Sequence, residues 1–276
     1  MAWQLDLQRL VMQLSPAVAP HSYRFLPNSI VRWMELSRVS YESARDIYRL
    51  IVGLLLYYAI YRYARLFTSY GGAILALLLI GVAYPISFEY YFGQLTDPLS
   101  HLSFVLALIF LETEDFALLL TTLLVGSLAK ETVLAMAGYY VLFCRKERKY
   151  IVKAATLCIS SVIIYLGVRV FVLHGAIHYQ QVSGVTPEHI WINWHGSRWL
   201  PIFCLTVGGL APFLIAGWKQ TPTSLKQQAF FLLPVLFLSS LLFSWLDEIR
   251  NFMPLVFVLA VIAGRYLSGL TTEYAV

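Results

Sequence analysis

The chain has 276 residues, a formal net charge of +5 at pH 7, 59% hydrophobic residues and only 13% charged residues. Its mean hydropathy of +0.69 excludes an ordinary soluble globular domain and is typical of a polytopic membrane protein. Basic residues are expected on the cytoplasmic side of such a protein and near lipid phosphates, so the positive charge does not indicate a nucleic-acid partner.

Residues 1–46 are predicted to form an outer, interfacial N-terminal region. Apolar residues recur at helical spacing over 1–14, which favours a short helix lying in the membrane interface. A second short helix is expected after Pro27, capped by Asn28 or Ser29. Neither helix is expected to cross the membrane.

Residues 47–268 are predicted to contain about nine membrane segments. The first follows Ser40, a suitable N-cap, and its apolar part runs from about 51 to 60. The others cover roughly 70–88, 98–111, 116–129, 132–144, 152–173, 199–217, 229–245 and 250–268. The segments within 98–144 are shorter than a full span, which is typical of tilted or broken helices that line a cavity. The sequence therefore predicts an all-α fold, with residues 1–276 forming a single polytopic transmembrane helical bundle.

The basic residues of "CRKERKY" (144–150) place that connection in the cytoplasm. Counting segments from there places several polar stretches on the outer face: the N-terminal region, the surroundings of Asp97, the Lys130–Glu131 junction, 175–197 and 246–250. Arginines of the N-terminal region break the charge rule on that face. Either a further span precedes them, or they serve another purpose, such as contact with phosphate oxygens.

Lys130 and Glu131 stand side by side in "GSLAKETVL" (126–134), with apolar runs on both sides. Ionisable groups at or near membrane depth are costly and commonly face a cavity or a partner, so a binding role is the first hypothesis. The alternative is a local turn whose charges reach water.

Asp97 and His101 lie in "YYFGQLTDPLSHL" (90–102). Pro98 is suited to the first helical position, so Asp97 is predicted to cap that helix and His101 to share its face. A carboxylate and an imidazole so placed could bind a divalent ion or a phosphate-bearing ligand, although two residues do not complete a coordination sphere. The alternative is a plain cap beside an interfacial histidine.

Glu248 and Arg250 lie in the short outer turn of "SWLDEIRNFMP" (244–254). Glu248 could pair with Arg250 or with Lys130, and Arg250 could meet a phosphate. A solvated turn with an internal ion pair is the alternative. Motifs for a zinc protease, a serine hydrolase and a Gly-rich phosphate loop are missing from the sequence.

Four stretches in this order resemble the polytopic GT-C type glycosyltransferases of bacteria: "PHSYRFLPNSI", "QLTDPLSHLSFVLALIFLE", "GSLAKETVLAMAGYYVL" and "DEIRNFMPLV". The resemblance covers most of residues 20–265. It implies a helical membrane enzyme of the bacterial inner membrane whose active site opens to the periplasm. There a polyprenyl-phosphate-linked sugar would donate its glycosyl group, with inversion, to an acceptor glycan, lipid or protein.

Members of that family usually carry a catalytic acid in the first outer loop, after a first spanning helix. No spanning helix precedes Asp6 here, so a truncated member that lacks the first helix, active or inactive, stays open. Asp6 lies upstream of the Arg24 stretch as the family's acid does and is the preferred base, with Asp97 as the second candidate.

The resemblance assigns the leaving phosphate to Lys130, Arg250 and Arg24, with Glu131 and Glu248 orienting them. A divalent ion near Asp97 and His101 could assist, but nothing in the sequence requires one. The rival hypotheses are a transporter or flippase for an anionic lipid or sugar, and a non-catalytic subunit of a membrane complex.

Overall fold

The structure is a computed structural model that describes residues 2–13, 15, 21–86, 95–145, 149–173, 186–195 and 199–273. Every regular element in these ranges is helical, which confirms the all-α prediction. The helices are α1 (Ala2–Met12), α2 (Phe25–Leu36), α3 (Tyr41–Arg65), α4 (Tyr70–Ile86), α5 (Thr96–Glu112), α6 (Phe116–Ser127), α7 (Ala135–Phe143), α8 (Tyr150–Leu173), α9 (Pro187–His195), α10 (Trp199–Thr206), α11 (Ala211–Gly217), α12 (Thr223–Phe243) and α13 (Met253–Glu273).

The chain divides into two compact units. Unit 1 comprises Met1–Leu56 and Gln94–Val182, and unit 2 comprises Tyr57–Gly93 and Ser183–Val276. In unit 1, α5 packs on α6, and α8 packs on α6 and α7. In unit 2, α13 packs on α4, α11 and α12, and its residues 253–264 are all buried.

In the described ranges, three helices are long and apolar enough to cross a membrane: Tyr150–Val170, Thr223–Phe243 and Ile249–Leu270. They are consistent with an integral membrane protein. Other apolar helices, at Tyr70–Pro85, Phe116–Ser127 and Glu131–Phe143, are shorter than that length. The helical character of the predicted segments is therefore confirmed, but nine full membrane crossings are not.

The N-terminal region is helical as predicted, but the predicted start of α2 is wrong. The Ser40 hydroxyl accepts a hydrogen bond from the backbone N–H of Ser43 at 3.2 Å, which confirms the cap of α3. The prediction for α2 is wrong at its start, because the helix begins at Phe25 and includes Pro27 in its first turn. Proline is tolerated there because the first N–H groups of a helix have no intrahelical partner. Asn28 thus lies inside the helix and does not cap it.

The segment predicted over 199–217 is not one helix. It is divided into α10, a 3₁₀ turn at Gly208–Leu210, and α11. Gly208 and Gly209 disfavour a continuous helix, and Pro212 at the start of α11 has no N–H to continue the preceding ladder.

Gly264 and Gly126 permit close helix packing. A Cβ added at Gly264 of α13 would lie 2.5 Å from the Gly72 carbonyl oxygen of α4, so the two backbones are in contact. A Cβ added at Gly126 of α6 would lie 2.6 Å from the Ser103 Cβ of α5. Small residues allow the two backbones to approach closely. Such packing matters in a membrane because lipid is as apolar as the side chains, so burial of apolar surface gives little driving force for helices to associate. The approach of α6 to α5 sets the position of the turn that follows α6.

Candidate functional site

Lys130 and Glu131 occupy the turn between α6 and α7, as the sequence predicts. Lys130 has an extended backbone, with φ −162° and ψ 121°, and Glu131 opens a 3₁₀ turn, Glu131–Leu134. The Lys130 N–H donates to the Gly126 carbonyl at 2.9 Å, and the Lys130 carbonyl accepts from the Val133 N–H at 3.2 Å. Because the backbone is extended at this point, the two neighbouring side chains leave the chain in different directions and reach different partners.

Lys130 forms an ion pair with Asp97, with 3.4 Å between its Nζ and the Asp97 Oδ1. Both residues are buried, since only 9% of Lys130 and 1% of Asp97 is exposed. A buried pair of this kind is retained against a large desolvation cost, so neither member can be removed without leaving an uncompensated charge.

The predicted capping role of Asp97 is wrong. Helix α5 begins at Thr96, and no side chain accepts a hydrogen bond at its cap position, Leu95. Asp97 instead lies in the first turn, where the positive end of the helix dipole and Lys130 both stabilise a carboxylate. Its carbonyl accepts from the Ser100 hydroxyl at 2.9 Å.

Glu131 forms a bidentate ion pair with Arg24. The Arg24 Nε donates to Oε2 at 3.0 Å, and Nη2 donates to Oε1 at 2.9 Å. Burial by itself would raise the pKa of Glu131, but the charge and hydrogen bonds of Arg24 outweigh burial and lower the pKa to about 2. The Leu26 N–H also donates to the Leu128 carbonyl at 3.2 Å, so backbone and side chains join α2 to this turn.

Arg169 of α8 adds a cation that was not singled out from the sequence. Its Cζ lies 4.6 Å from the centre of the Tyr23 ring and 3.4 Å from that of Tyr165. Its charge also helps to lower the pKa of Glu131. The signal that could have found it is an arginine near the end of a run otherwise apolar enough to span a membrane.

A cavity of about 30 Å³ adjoins the start of α5. It is lined by Gln4, Leu7, His21, Asn28, Tyr41, Leu95 and Thr96. The hydroxyls of Tyr41 and Thr96 are buried and have no hydrogen-bond partner among the described residues. The Tyr48 hydroxyl, by contrast, donates to the Leu95 carbonyl at 2.9 Å. A cavity of this volume holds a group the size of one or two water molecules.

His101 and Asp6 lie in contrasting environments. His101 is buried, with 1% exposed, one turn after Asp97 in α5. Among the described residues, no group of three or more His, Cys, Asp or Glu side chains could hold a metal ion.

Asp6 lies on α1 with its side chain 67% exposed, and its Oδ1 is 3.7 Å from the Arg9 Nη1. Solvent screens such a surface pair strongly.

Glu248 and Arg250 form an ion pair in unit 2, with 3.1 Å between the Glu248 Oε2 and the Arg250 Nη2. The same oxygen accepts from the Ser244 hydroxyl at 2.9 Å and from the Asn251 amide at 3.1 Å. Arg250 is only 3% exposed. The alternative of a solvated turn is therefore wrong. The Glu248–Arg250 pair is buried, and the side chains of Ser244 and Asn251 also bond to Glu248.

Asn193 of α9 organises this turn and was not singled out from the sequence. Its Nδ2 donates to the carbonyls of Ser240, Leu241 and Ser244, each at 3.0 Å, and its Oδ1 accepts from the Leu246 N–H at 2.7 Å. One amide thus satisfies backbone groups at the end of α12 and at the start of the Glu248 turn. The only signal in the sequence is an amide amid aromatic residues in "WINWH".

Parts of the predicted features lie outside the described residues: 175–185 and 196–197 of the 175–197 stretch, 146–148 of the basic cluster, and 90–94 of the stretch that contains Asp97. No protein-family model, curated protein or solved structure matches the chain.

Proposed function

We propose that the chain is a membrane glycosyltransferase that moves a sugar from a polyprenyl-phosphate donor to an acceptor, with inversion. The observation that carries the proposal is the buried Asp97–Lys130 ion pair in an apolar helical unit. A carboxylate and an ammonium group held together away from water are suited to a reaction in which a proton is accepted and a phosphate leaves.

Asp97 is the general base of the proposed reaction. Its carboxylate accepts the proton of the acceptor hydroxyl while that oxygen forms a bond to the anomeric carbon. The bond between the anomeric carbon and the phosphate oxygen breaks, and its electron pair leaves with the polyprenyl phosphate. Lys130 stabilises that charge, and Arg24, fixed by Glu131, adds a positive field beside it.

The exposed position of Asp6 supports Asp97 over Asp6 as the base. A general base works best where water is excluded and its geometry is fixed, and Asp97 has 1% of its surface exposed. Arg250, held by Glu248 in unit 2, is a further phosphate-binding candidate, and His101 is a candidate for binding the substrate beside Asp97.

The proposed location is the bacterial inner membrane, with the site open to the periplasm. The distribution of basic residues supports this orientation, since "CRKERKY" is the densest basic run of the chain. The partners are the lipid bilayer, the lipid-linked sugar and an acceptor glycan, lipid or protein. The reaction as written needs no metal ion, and the described residues include no group of three or more His, Cys, Asp or Glu side chains that could hold one.

The test uses purified protein in lipid nanodiscs and a panel of radiolabelled polyprenyl-phosphate sugars, with transfer to acceptor and release of polyprenyl phosphate both measured. The variants are Asp97→Asn, Lys130→Ala and Asp6→Asn, with Glu42→Gln as a control, because Glu42 is an exposed carboxylate of α3. We expect transfer by the wild type, loss with Asp97→Asn and Lys130→Ala, and little change with Glu42→Gln. Movement of intact donor across proteoliposomes without bond cleavage would instead establish the transporter, and binding without turnover would favour the non-catalytic subunit.

A further inference from the structure

Arg169 is one of two charged residues in the apolar run Tyr150–Val170 of α8, the other being Lys153. Charged side chains within such a run are rare and usually mark a binding site or an ion path. The flanking α8 side chains Ile163, Leu166 and Val170 are 64%, 53% and 60% exposed, as expected of a helix that faces lipid. A charged arginine at this position is costly, so we expect an interaction that stabilises its charge.

The described contacts of Arg169 are with aromatic rings and a backbone carbonyl. Its guanidinium lies over Tyr23 and Tyr165, and Nη1 donates to the Tyr165 carbonyl at 3.3 Å. In the part of the chain that the structure describes, no carboxylate forms an ion pair with it. Arg24, by contrast, directs two nitrogens of its fork at Glu131.

Stacking on an aromatic ring occupies the faces of a guanidinium and leaves its N–H groups in the plane to donate elsewhere. Tyr23 is 2% exposed, so the ring under Arg169 is fixed by the surrounding protein. The side chain is thereby oriented before any ligand binds, which reduces the entropy that binding must overcome.

The charges of the neighbouring pairs favour an anion here. Lys130 is paired with Asp97 and Arg24 with Glu131, and the charge of Arg169 also reaches Glu131, so this group combines three cations with two carboxylates and has a net positive charge. The planar fork matches the oxygens of a phosphate group, to which it can donate two parallel hydrogen bonds. At a membrane helix, the anion within reach is a lipid-borne phosphate.

We propose that Arg169, held over Tyr23 beside the Arg24–Glu131 pair, binds the phosphate group of a lipid. This inference rests on the proposed function only in naming polyprenyl phosphate as the lipid. The phosphate of a bulk phospholipid has the same chemistry and is the other source.

The test measures binding alone, so that it stays separate from sugar transfer. Decaprenyl phosphate is titrated into protein in phosphatidylcholine nanodiscs, and the shift in melting temperature and native mass spectrometry report occupancy. Neutral decaprenol, inorganic phosphate and phosphatidylglycerol are titrated in parallel. The variants are Arg169→Gln and Arg169→Lys, with Arg62→Gln as the control, since Arg62 is an exposed arginine of α3 that bonds the Tyr58 hydroxyl.

We expect Arg169→Gln to weaken binding of decaprenyl phosphate roughly tenfold to a hundredfold, the loss of a charge-assisted hydrogen bond. Arg169→Lys should give an intermediate loss, because it keeps the charge and loses the fork, and Arg62→Gln should leave affinity unchanged. Competition by equimolar phosphatidylglycerol would assign the site to bulk lipid phosphate, and its absence would assign it to the polyprenyl carrier. Affinity of Arg169→Gln within twofold of wild type, or equal binding of decaprenol, would overturn the proposal. Phosphate binding without sugar transfer would contradict only the transferase.

Discussion

Arg24 and Glu131 form a bidentate ion pair although 107 positions separate them in the sequence. The pair joins the start of α2 to the turn before α7, and its neighbour Lys130 reaches Asp97 of α5. Two adjacent residues thus connect three parts of unit 1. We take this arrangement as the structural basis of the proposed site.

Acid should destabilise unit 1 through Glu131. The folded-state pKa of Glu131, about 2, lies below its ordinary value of 4.5, because the charge and hydrogen bonds of Arg24 outweigh burial. The resulting stabilisation is therefore fully present above pH 4.5 and is lost as the pH falls from 4.5 towards 2. The melting temperature in detergent, measured from pH 7 to pH 3, should fall less steeply for Glu131→Gln than for wild type. Identical acid slopes for the two proteins would contradict this assignment, and Glu42→Gln, at an exposed site, is the control that should follow wild type.

Two buried tyrosines of α3 should respond in opposite ways to loss of the hydroxyl. Tyr48→Phe removes the hydrogen bond to the Leu95 carbonyl and should destabilise the protein by about 1–3 kcal/mol, because a buried acceptor loses its donor. Tyr41→Phe removes a buried hydroxyl that has no partner among the described residues and should be neutral or stabilising. Thermal or denaturant unfolding of both variants checks the contrast. An equal cost for the two substitutions would count against the hydrogen-bond pattern described for this cavity.

Gly264→Ala should separate α13 from α4. The added Cβ would meet the Gly72 carbonyl oxygen at 2.5 Å and the Ala76 nitrogen at 2.8 Å, so backbone has to move. We expect a loss of about 3 kcal/mol, at the upper end for overpacked cores. Gly269→Ala in the same helix is the matched control, because a Cβ there meets no atom within 4 Å. Comparable melting temperatures for the two variants would show that the helices are not in backbone contact.

Asn193→Asp should loosen the Glu248 turn. The change removes both N–H donors and places a carboxylate against the carbonyls of Ser240, Leu241 and Ser244. Backbone amide exchange over 240–251 should accelerate in the variant, while exchange over Thr96–Glu112 in unit 1 stays at the wild-type rate. Unchanged protection over 240–251 would mean that Asn193 does not organise the turn.

The helices were predictable from the sequence because apolar runs and their breaks carry local information. The polar residues at the Lys130 turn were predictable for the same reason, since a charged pair between apolar runs is conspicuous. The resemblance assigned Glu131 and Glu248 to orient Lys130, Arg250 and Arg24, but not which acid holds which cation. The pairing of Arg24 with Glu131 depends on chain packing across 107 positions. Asp97 was found, but its role as a cap was wrong, because α5 begins before it and Lys130 supplies its counter-ion.

The contacts of Asn193 and Arg169 could not be predicted from the sequence. Asn193 acts through backbone carbonyls, which leave no signature in the order of side chains. In the sequence Arg169 is one of several basic residues. Its contact with the Tyr23 ring, which places it near Glu131, is seen only in the structure. The break between α10 and α11 follows from glycines and a proline that also occur in continuous membrane helices.

The most direct test of the account is the rate at which the purified chain releases polyprenyl phosphate from a labelled polyprenyl-phosphate sugar in the presence of acceptor, with Asp97→Asn compared at equal folded fraction. We expect release coupled one-to-one to sugar transfer by the wild type, and a rate at least about a hundredfold lower for Asp97→Asn, the scale expected for loss of a general base. Equal rates for wild type and Asp97→Asn, or no release from any donor by folded wild-type protein, would contradict it.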